Sequence, residues 1–211
     1  MTFAKEALPF VLPLAIAAMG LALLRKPGWA LLVSGIALLV LLFFRIPVRR
    51  VEVPDGSVLA PANGRILRVD RSPALTQDEA ELQRIVIFLS VFNVHVQRAP
   101  ITGEVIESRF TPGRKVAAFK ADAGEINENH LSVLRRDNGD LIGVRQIAGL
   151  LARRVVCYLQ AGDQVEQGEL IGLIKFGSRV DLMLPDHYEI LVREGDRVRE
   201  GLTVVARSEM P

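Results

Sequence analysis

Near its N-terminus the chain holds two stretches in which no side chain carries a charge: eighteen residues, Ala7–Leu24, and sixteen, Trp29–Phe44. As α-helices rising about 1.5 Å per residue they extend roughly 27 and 24 Å, a little short of the ~30 Å hydrocarbon core of a bilayer. Snorkelling Arg and Lys side chains at the flanks, or mild thinning of the bilayer, absorb the shortfall. Arg25-Lys26-Pro27-Gly28 separates the runs, with Pro27-Gly28 read as the turn, so residues 1–50 are expected to form a membrane-associated helical hairpin. A cleavable signal fits poorly, because the second apolar run follows directly with no small-residue cleavage site between them. A buried soluble hairpin fits poorly too, since neither run has a polar face. A shallow hairpin that enters without spanning satisfies the same pattern. Lys5, Arg45, Arg49 and Arg50 flank the ends against Arg25 and Lys26 at the tip, which places both ends on the cytoplasmic face of the cell membrane.

Charge follows the same division. Residues 1–50 carry six Lys/Arg against one Glu, and 51–211 carry twenty against twenty-three Asp/Glu. Basic charge that accompanies the most apolar stretch points to anionic membrane lipid and not to nucleic acid. The single cysteine, Cys157, excludes an internal disulfide framework. Three histidines, His95, His130 and His187, stand at no metal-ligand spacing, so no metal site is expected.

After Arg50 the texture changes to short β-rich runs broken by Gly, Pro, Asn and Asp, and residues 51–211 read as one β-rich domain. Expected strands are Gly64–Asp70, Arg84–Val91, Glu104–Phe110, Leu131–Arg135, Asp140–Gln146, Arg154–Leu159, Leu170–Lys175, Val180–Leu184 and Tyr188–Val192. Ser72–Gln83 reads as a loop or short surface helix, and Ile147–Arg153 as a helical turn or two. The fold class is mainly β: a compact, barrel-sandwich-like domain behind a hydrophobic helical hairpin. One phrase occurs twice, Gly162-Asp163-Gln164-Val165-Glu166-Gln167-Gly168 and Gly195-Asp196-Arg197-Val198-Arg199-Glu200-Gly201. Each Gly-Asp suits a turn, each Val an inward position, and an apolar strand follows each copy. The phrase resembles the hairpin of biotinyl and lipoyl carrier domains, but Lys175 lacks the flanks of a carrier lysine. It speaks to architecture and not to cofactor attachment.

No P-loop, G-x-G-x-x-G or G-x-S-x-G occurs. Four segments in order do carry a resemblance: Ala60–Ile66, Phe88–Pro100, Gln146–Arg154 and Leu173–Pro185, the last containing Lys175-Phe176-Gly177-Ser178-Arg179. Together with the apolar N-terminus they resemble phosphatidylserine decarboxylase proenzymes of the short bacterial and archaeal type over essentially the whole chain. The resemblance implies cleavage between Gly177 and Ser178, with Ser178 becoming a pyruvoyl group, the self-derived cofactor. It also implies phosphatidylserine as substrate and a two-chain enzyme of residues 1–177 and 178–211. Exposed strand edges favour a homo-oligomer without fixing its number.

Within the same resemblance His95 matches the base that activates the serine, and imidazole suits that task near neutrality. Asn63 stands where the family phrase has an aspartate that orients the histidine. Three accounts fit it: a substitution that holds the proenzyme uncleaved, another acid in its place, or deamidation at Asn63-Gly64. Phe92 stands where longer members carry a second histidine, so the acid that protonates the product is unassigned. Arg98 and Arg179 read as solvated charge, with phosphate binding as the alternative, and His130 and His187 as surface residues. Three rival readings stand beside the decarboxylase: a membrane-anchored, non-catalytic carrier-like barrel, a pyruvoyl enzyme acting on another substrate such as a soluble amino acid, and a cleavage-deficient proenzyme.

Overall fold

The computed structural model describes residues 1–50, 52–75, 81–114, 116–118, 123–150, 154–175 and 178–208. It divides into two compact units, Met1–Val48 and Arg49–Pro211.

The first unit contains β1 (Thr2–Phe3), α1 (Leu8–Leu23), α2 (Pro27–Phe43) and β2 (Arg45–Ile46). β1 and β2 pair antiparallel and close the open end of the hairpin, Thr2 facing Ile46. Ala18 and Ala37 are buried, whereas Leu12, Ile16, Met19, Leu31 and Leu39 are exposed. Small residues therefore face the partner helix and large apolar ones face outward, the arrangement found where the surroundings are hydrocarbon. The helical segment Lys5–Leu23 is long and apolar enough to cross a membrane, and Pro27–Phe43 is shorter. The turn differs from the expected Pro27-Gly28. Pro27 is the first residue of α2, where its missing N–H costs nothing and its fixed φ starts the helix. The reversal is made by Arg25, at φ 55°, with Arg25 N bonded to Ala22 O and Lys26 N to Leu21 O. These are the two bonds of a Schellman ending, here with arginine at the left-handed position where glycine is usual.

The second unit runs β3 (Ser57–Leu59), β4 (Gly64–Ser72), β5 (Leu82–Leu89), β6 (Val96–Arg98) and β7 (Gly103–Thr111), then the short helix α3 (Ala123–Ile126). It continues with β8 (Asn129–Arg135), β9 (Leu141–Ala148), β10 (Val155–Cys157), β11 (Gln164–Val165), β12 (Leu170–Ile174), β13 (Ser178–Leu184), β14 (Tyr188–Ile190), β15 (Arg197–Val198) and β16 (Val204–Ser208). An eight-stranded sheet in the order β11-β7-β8-β9-β13-β5-β4-β15 curls into a half-barrel, and two three-stranded sheets, β10-β12-β6 and β14-β16-β3, complete it. The protein is thus mainly β behind a helical hairpin, as its alternating apolar runs foretell. Val180, Leu182 and Leu184 of β13 enter the main core with Ile85, Ile87 and Leu89 of β5. Arg179 and Asp181 alternate to the opposite face of the sheet.

Both edges of the large sheet are built the same way. Ala60-Pro61-Ala62-Asn63-Gly64-Arg65-Ile66 leads into β4, and Ala99-Pro100-Ile101-Thr102-Gly103-Glu104-Val105 leads into β7. Each receives one copy of the repeated Gly-Asp phrase. Ile66 N bonds Asp196 O at 2.9 Å and Gly195 N bonds Ile66 O at 2.9 Å; Val105 N bonds Asp163 O at 2.8 Å and Gly162 N bonds Val105 O at 2.7 Å. Gly162 and Gly195 adopt φ 96° and 94°, which a side chain would strain. Val165 and Val198 point inward, 3% and 1% exposed. This second half of the repeat, Ala60–Ile66 against Ala99–Val105, has too few identical positions to be seen before the hydrogen bonds align it.

Three other expectations are corrected. Ile147 and Ala148 extend β9 instead of starting a helical turn, because both pair with β13; Leu151–Arg153 lie outside the described residues. Ser72 belongs to β4, and Leu82 and Gln83 to β5, which shortens the expected loop; within it 76–80 lie outside the described residues. Arg98 and Arg179 are buried, 8% and 0% exposed, and carry no solvated charge.

Candidate active site

Ser178 opens β13, held on both sides: it stands opposite Leu89 of β5 and Ala148 of β9. It is fully buried, and its Oγ has no hydrogen-bond partner among the described residues. A buried hydroxyl left unpaired costs on the order of 1–3 kcal/mol, so an orphan at this place asks for a chemical reason. Gly177 and Phe176 lie outside the described residues.

His95 precedes β6, which pairs with β12, and its carbonyl accepts from Ile174 N at 3.1 Å, four residues before Ser178. The residue is 2% exposed. Its Nδ1 lies 2.8 Å from Asn93 O. A carbonyl only accepts, so Nδ1 carries the proton and Nε2 keeps its lone pair. Asn93 Nδ2 in turn donates to Asn63 Oδ1 at 3.1 Å, while Asn93 Oδ1 accepts from Ser90 N and Ser90 Oγ at 2.8 and 2.7 Å. Asn63 therefore connects to the ring only through Asn93, one link further than expected. Beyond His95, Gln97 Nε2 donates to His95 O at 2.9 Å, and Gln146 Nε2 donates to Gln97 Oε1 at 2.8 Å, both glutamines buried.

On the opposite face of β13, Arg179 grips Asp181 through two bonds, Nε to Oδ1 at 2.6 Å and Nη2 to Oδ2 at 2.7 Å, with neither side chain exposed. Arg98 Nη1 donates to Gly168 O at 2.7 Å; burial pulls its guanidinium below the usual range, against the opposing pull of Glu200. The other two histidines are bonded, not free on the surface. His130 Nε2 lies 2.9 Å from Ser108 Oγ, and burial lowers its pKa from 6.5. His187 Nε2 and Tyr188 Oη both reach Asp140 Oδ2, at 2.9 and 2.8 Å. Burial raises Tyr188 to about 12, helped by that carboxylate. Burial alone would raise Asp140, but the bonds from Tyr188, His187 and Asn138 bring it below 3.8.

Residues 36–206 match the family model described as phosphatidylserine decarboxylase. The chain belongs to the phosphatidylserine decarboxylase family. It is 43% identical to the phosphatidylserine decarboxylase proenzyme of Symbiobacterium thermophilum over 97% of this chain and 94% of that one. The proenzyme of Desulfotalea psychrophila is 42% identical over 79% and 78%, and that of Nitrosomonas eutropha 38% identical over 96% and 94%. Asn63, His95 and Ser178 all fall within the decarboxylase segment. Asn93, Gln97 and Gln146 were not singled out from the sequence. For Gln97 the signal is the spacing His95-x-Gln97, polar residues alternating with Val94 and Val96; Gln146 and the backbone carbonyl of Asn93 give none.

Proposed function

We propose that this chain decarboxylates phosphatidylserine to phosphatidylethanolamine at a site it makes for itself by breaking the bond between Gly177 and Ser178. The observation that carries the reading is Ser178 Oγ, buried and unbonded at the first residue of a central strand. A hydroxyl bound to no acceptor is not held in its ground state, and one that is later removed needs no lasting partner. The environment thus suits conversion of Ser178 to a pyruvoyl end.

The chain's own groups account for that conversion. His95 Nε2 takes the proton as Ser178 Oγ attacks the Gly177 carbonyl carbon, and the amide nitrogen leaves as an amine, turning the peptide bond into an ester. Loss of the Ser178 α-proton expels the Gly177 carboxylate and leaves a dehydroalanine. Water then hydrolyses its imine form, releasing ammonia and leaving the ketone. That ketone supplies an electron sink for the pair left when CO2 departs from a serine headgroup condensed with it. β13 keeps the new end in place, paired with seven residues of β5 and six of β9. β14, β15 and β16 tie the rest of the 178–211 chain to β16, β4 and β3.

Residues 1–50 act as the membrane hairpin and 51–211 as the catalytic domain on the cytoplasmic face. The exposed Leu12, Ile16, Leu31 and Leu39 and the basic residues Lys5, Arg45 and Arg50 support contact with anionic lipid, whereas Arg49 is taken up by an ion pair with the buried Glu200 at 2.6 Å. The test is CO2 release from carboxyl-labelled phosphatidylserine against free serine. Release from the lipid alone is expected; equal release from free serine, or none from the lipid, would overturn the reading.

A further inference from the structure

The two edges of the large sheet share a backbone plan but not a charge. At the β11 edge the outward positions are Gln164 and Glu166, beside Glu104 of β7, which is paired with Arg135 at 2.6 Å. At the β15 edge the corresponding positions are Arg197 and Arg199, beside Arg65 of β4. Since Val165 and Val198 do the same inward work, the fold does not require arginine there. Among the described residues these three exposed arginines make no ion pair, and Arg65 Nε is bonded to Gly195 O at 3.1 Å.

The basic edge also has a cavity. Arg65, Arg197 and Arg199 line a groove of about 620 Å³ together with Asn63, Ser90 and Asn93, and among the described residues no acidic one lines it. Asn93 is the residue whose carbonyl holds the His95 ring, so the groove and the histidine share a wall. Its size falls in the range of small-ligand clefts, and three guanidinium groups along one side suit the oxygens of a phosphate.

We propose that this groove is a phosphate subsite, in which Arg65, Arg197 and Arg199 take the phosphodiester of a phospholipid headgroup. The inference rests on the decarboxylase reading and names where its substrate's anion is held. It also gives the second Gly-Asp phrase a task that the first copy, with Gln164 and Glu166, cannot perform.

The test uses the full-length Ser178→Ala chain in detergent, which cannot turn over, titrated calorimetrically with short-chain phosphatidylserine and, separately, with inorganic phosphate. Adding Arg197→Gln and Arg199→Gln, both exposed, is expected to weaken phosphatidylserine binding at least tenfold at unchanged melting temperature, whereas Arg207→Gln leaves it unchanged. Parallel loss of inorganic phosphate assigns the groove to the phosphate group itself, and loss for the lipid alone assigns it to the esterified headgroup. Phosphatidylserine affinity unchanged in the double variant overturns the proposal, whether or not inorganic phosphate is affected and whatever the decarboxylation assay shows. In the cleavable chain the same pair of substitutions raises KM for phosphatidylserine about tenfold with kcat within twofold. A fall in kcat at constant KM would contradict a binding role.

Discussion

Restoring a carboxylate at Asn63 tests how the histidine is held. Were residue 63 bonded directly to the ring, as in a Ser-His-Asp triad, the amide-for-acid exchange would cost about 10⁴ in rate. The structure places Asn93 between: Asn63 Oδ1 meets Asn93 Nδ2 at 3.1 Å, and it is Asn93 O that meets His95 Nδ1, at 2.8 Å. A backbone carbonyl already fixes the tautomer, so the change cannot repair one that is wrong. Asn63→Asp makes the first bond charge-assisted, which adds about 1 kcal/mol. Attraction for the imidazolium across one intervening residue adds on the order of 1–2 kcal/mol at an effective dielectric of about 20. Together these make about 2–3 kcal/mol, so cleavage should quicken by roughly thirtyfold to 150-fold, at about 1.4 kcal/mol per tenfold. The assay is the time course of the full-length band on a denaturing gel after synthesis in a cell-free system. An acceleration near 10⁴ would refute the intervening Asn93, and equal rates would remove residue 63 from the mechanism.

Ser178→Ala leaves one chain of 23.2 kDa, and thermal melting should show no loss of stability, because the Oγ it removes has no hydrogen bond. Asp181→Leu should destabilise by about 3–5 kcal/mol, since it removes the carboxylate that a fully buried Arg179 holds through two bonds, whereas Arg179→Met with Asp181→Leu should cost far less; melting of both variants separates them. Burial lowers the His130 pKa below 6.5, so the unfolded chain takes up a proton the folded chain resists. That contribution is complete above pH 6.5 and is lost progressively below it, and melts taken between pH 7.5 and 5 should show a shallower decline in His130→Gln.

Much of this was legible beforehand because it rests on period and punctuation. Val180–Leu184 and Arg84–Val91 read as strands from runs of apolar and β-branched residues, the second ending at Leu89 in the structure, and the charge-free hairpin from composition alone. What escaped depends on where the folded backbone sets each residue, whether its partner is near or far in the chain. Arg179 looks like surface charge until Asp181, two residues on, is seen on the same buried face of the sheet. Pro27-Gly28 looks like a turn until the helix begins at the proline. At the site, four segments pointed to Ser178 and His95, but the role of Asn93 depends on its backbone carbonyl, which no side-chain pattern reports. The basic groove likewise needed both copies of the Gly-Asp phrase placed at opposite edges of one sheet.

The intact mass of the purified protein bears most directly on the whole account. Two species are expected, one ending at Gly177 and one spanning residues 178–211 whose first residue is a ketone that adds hydroxylamine. A folded, lipid-bound protein in which the Asn63→Asp chain stays in one piece, or a 178–211 chain that begins with an ordinary serine, would contradict it.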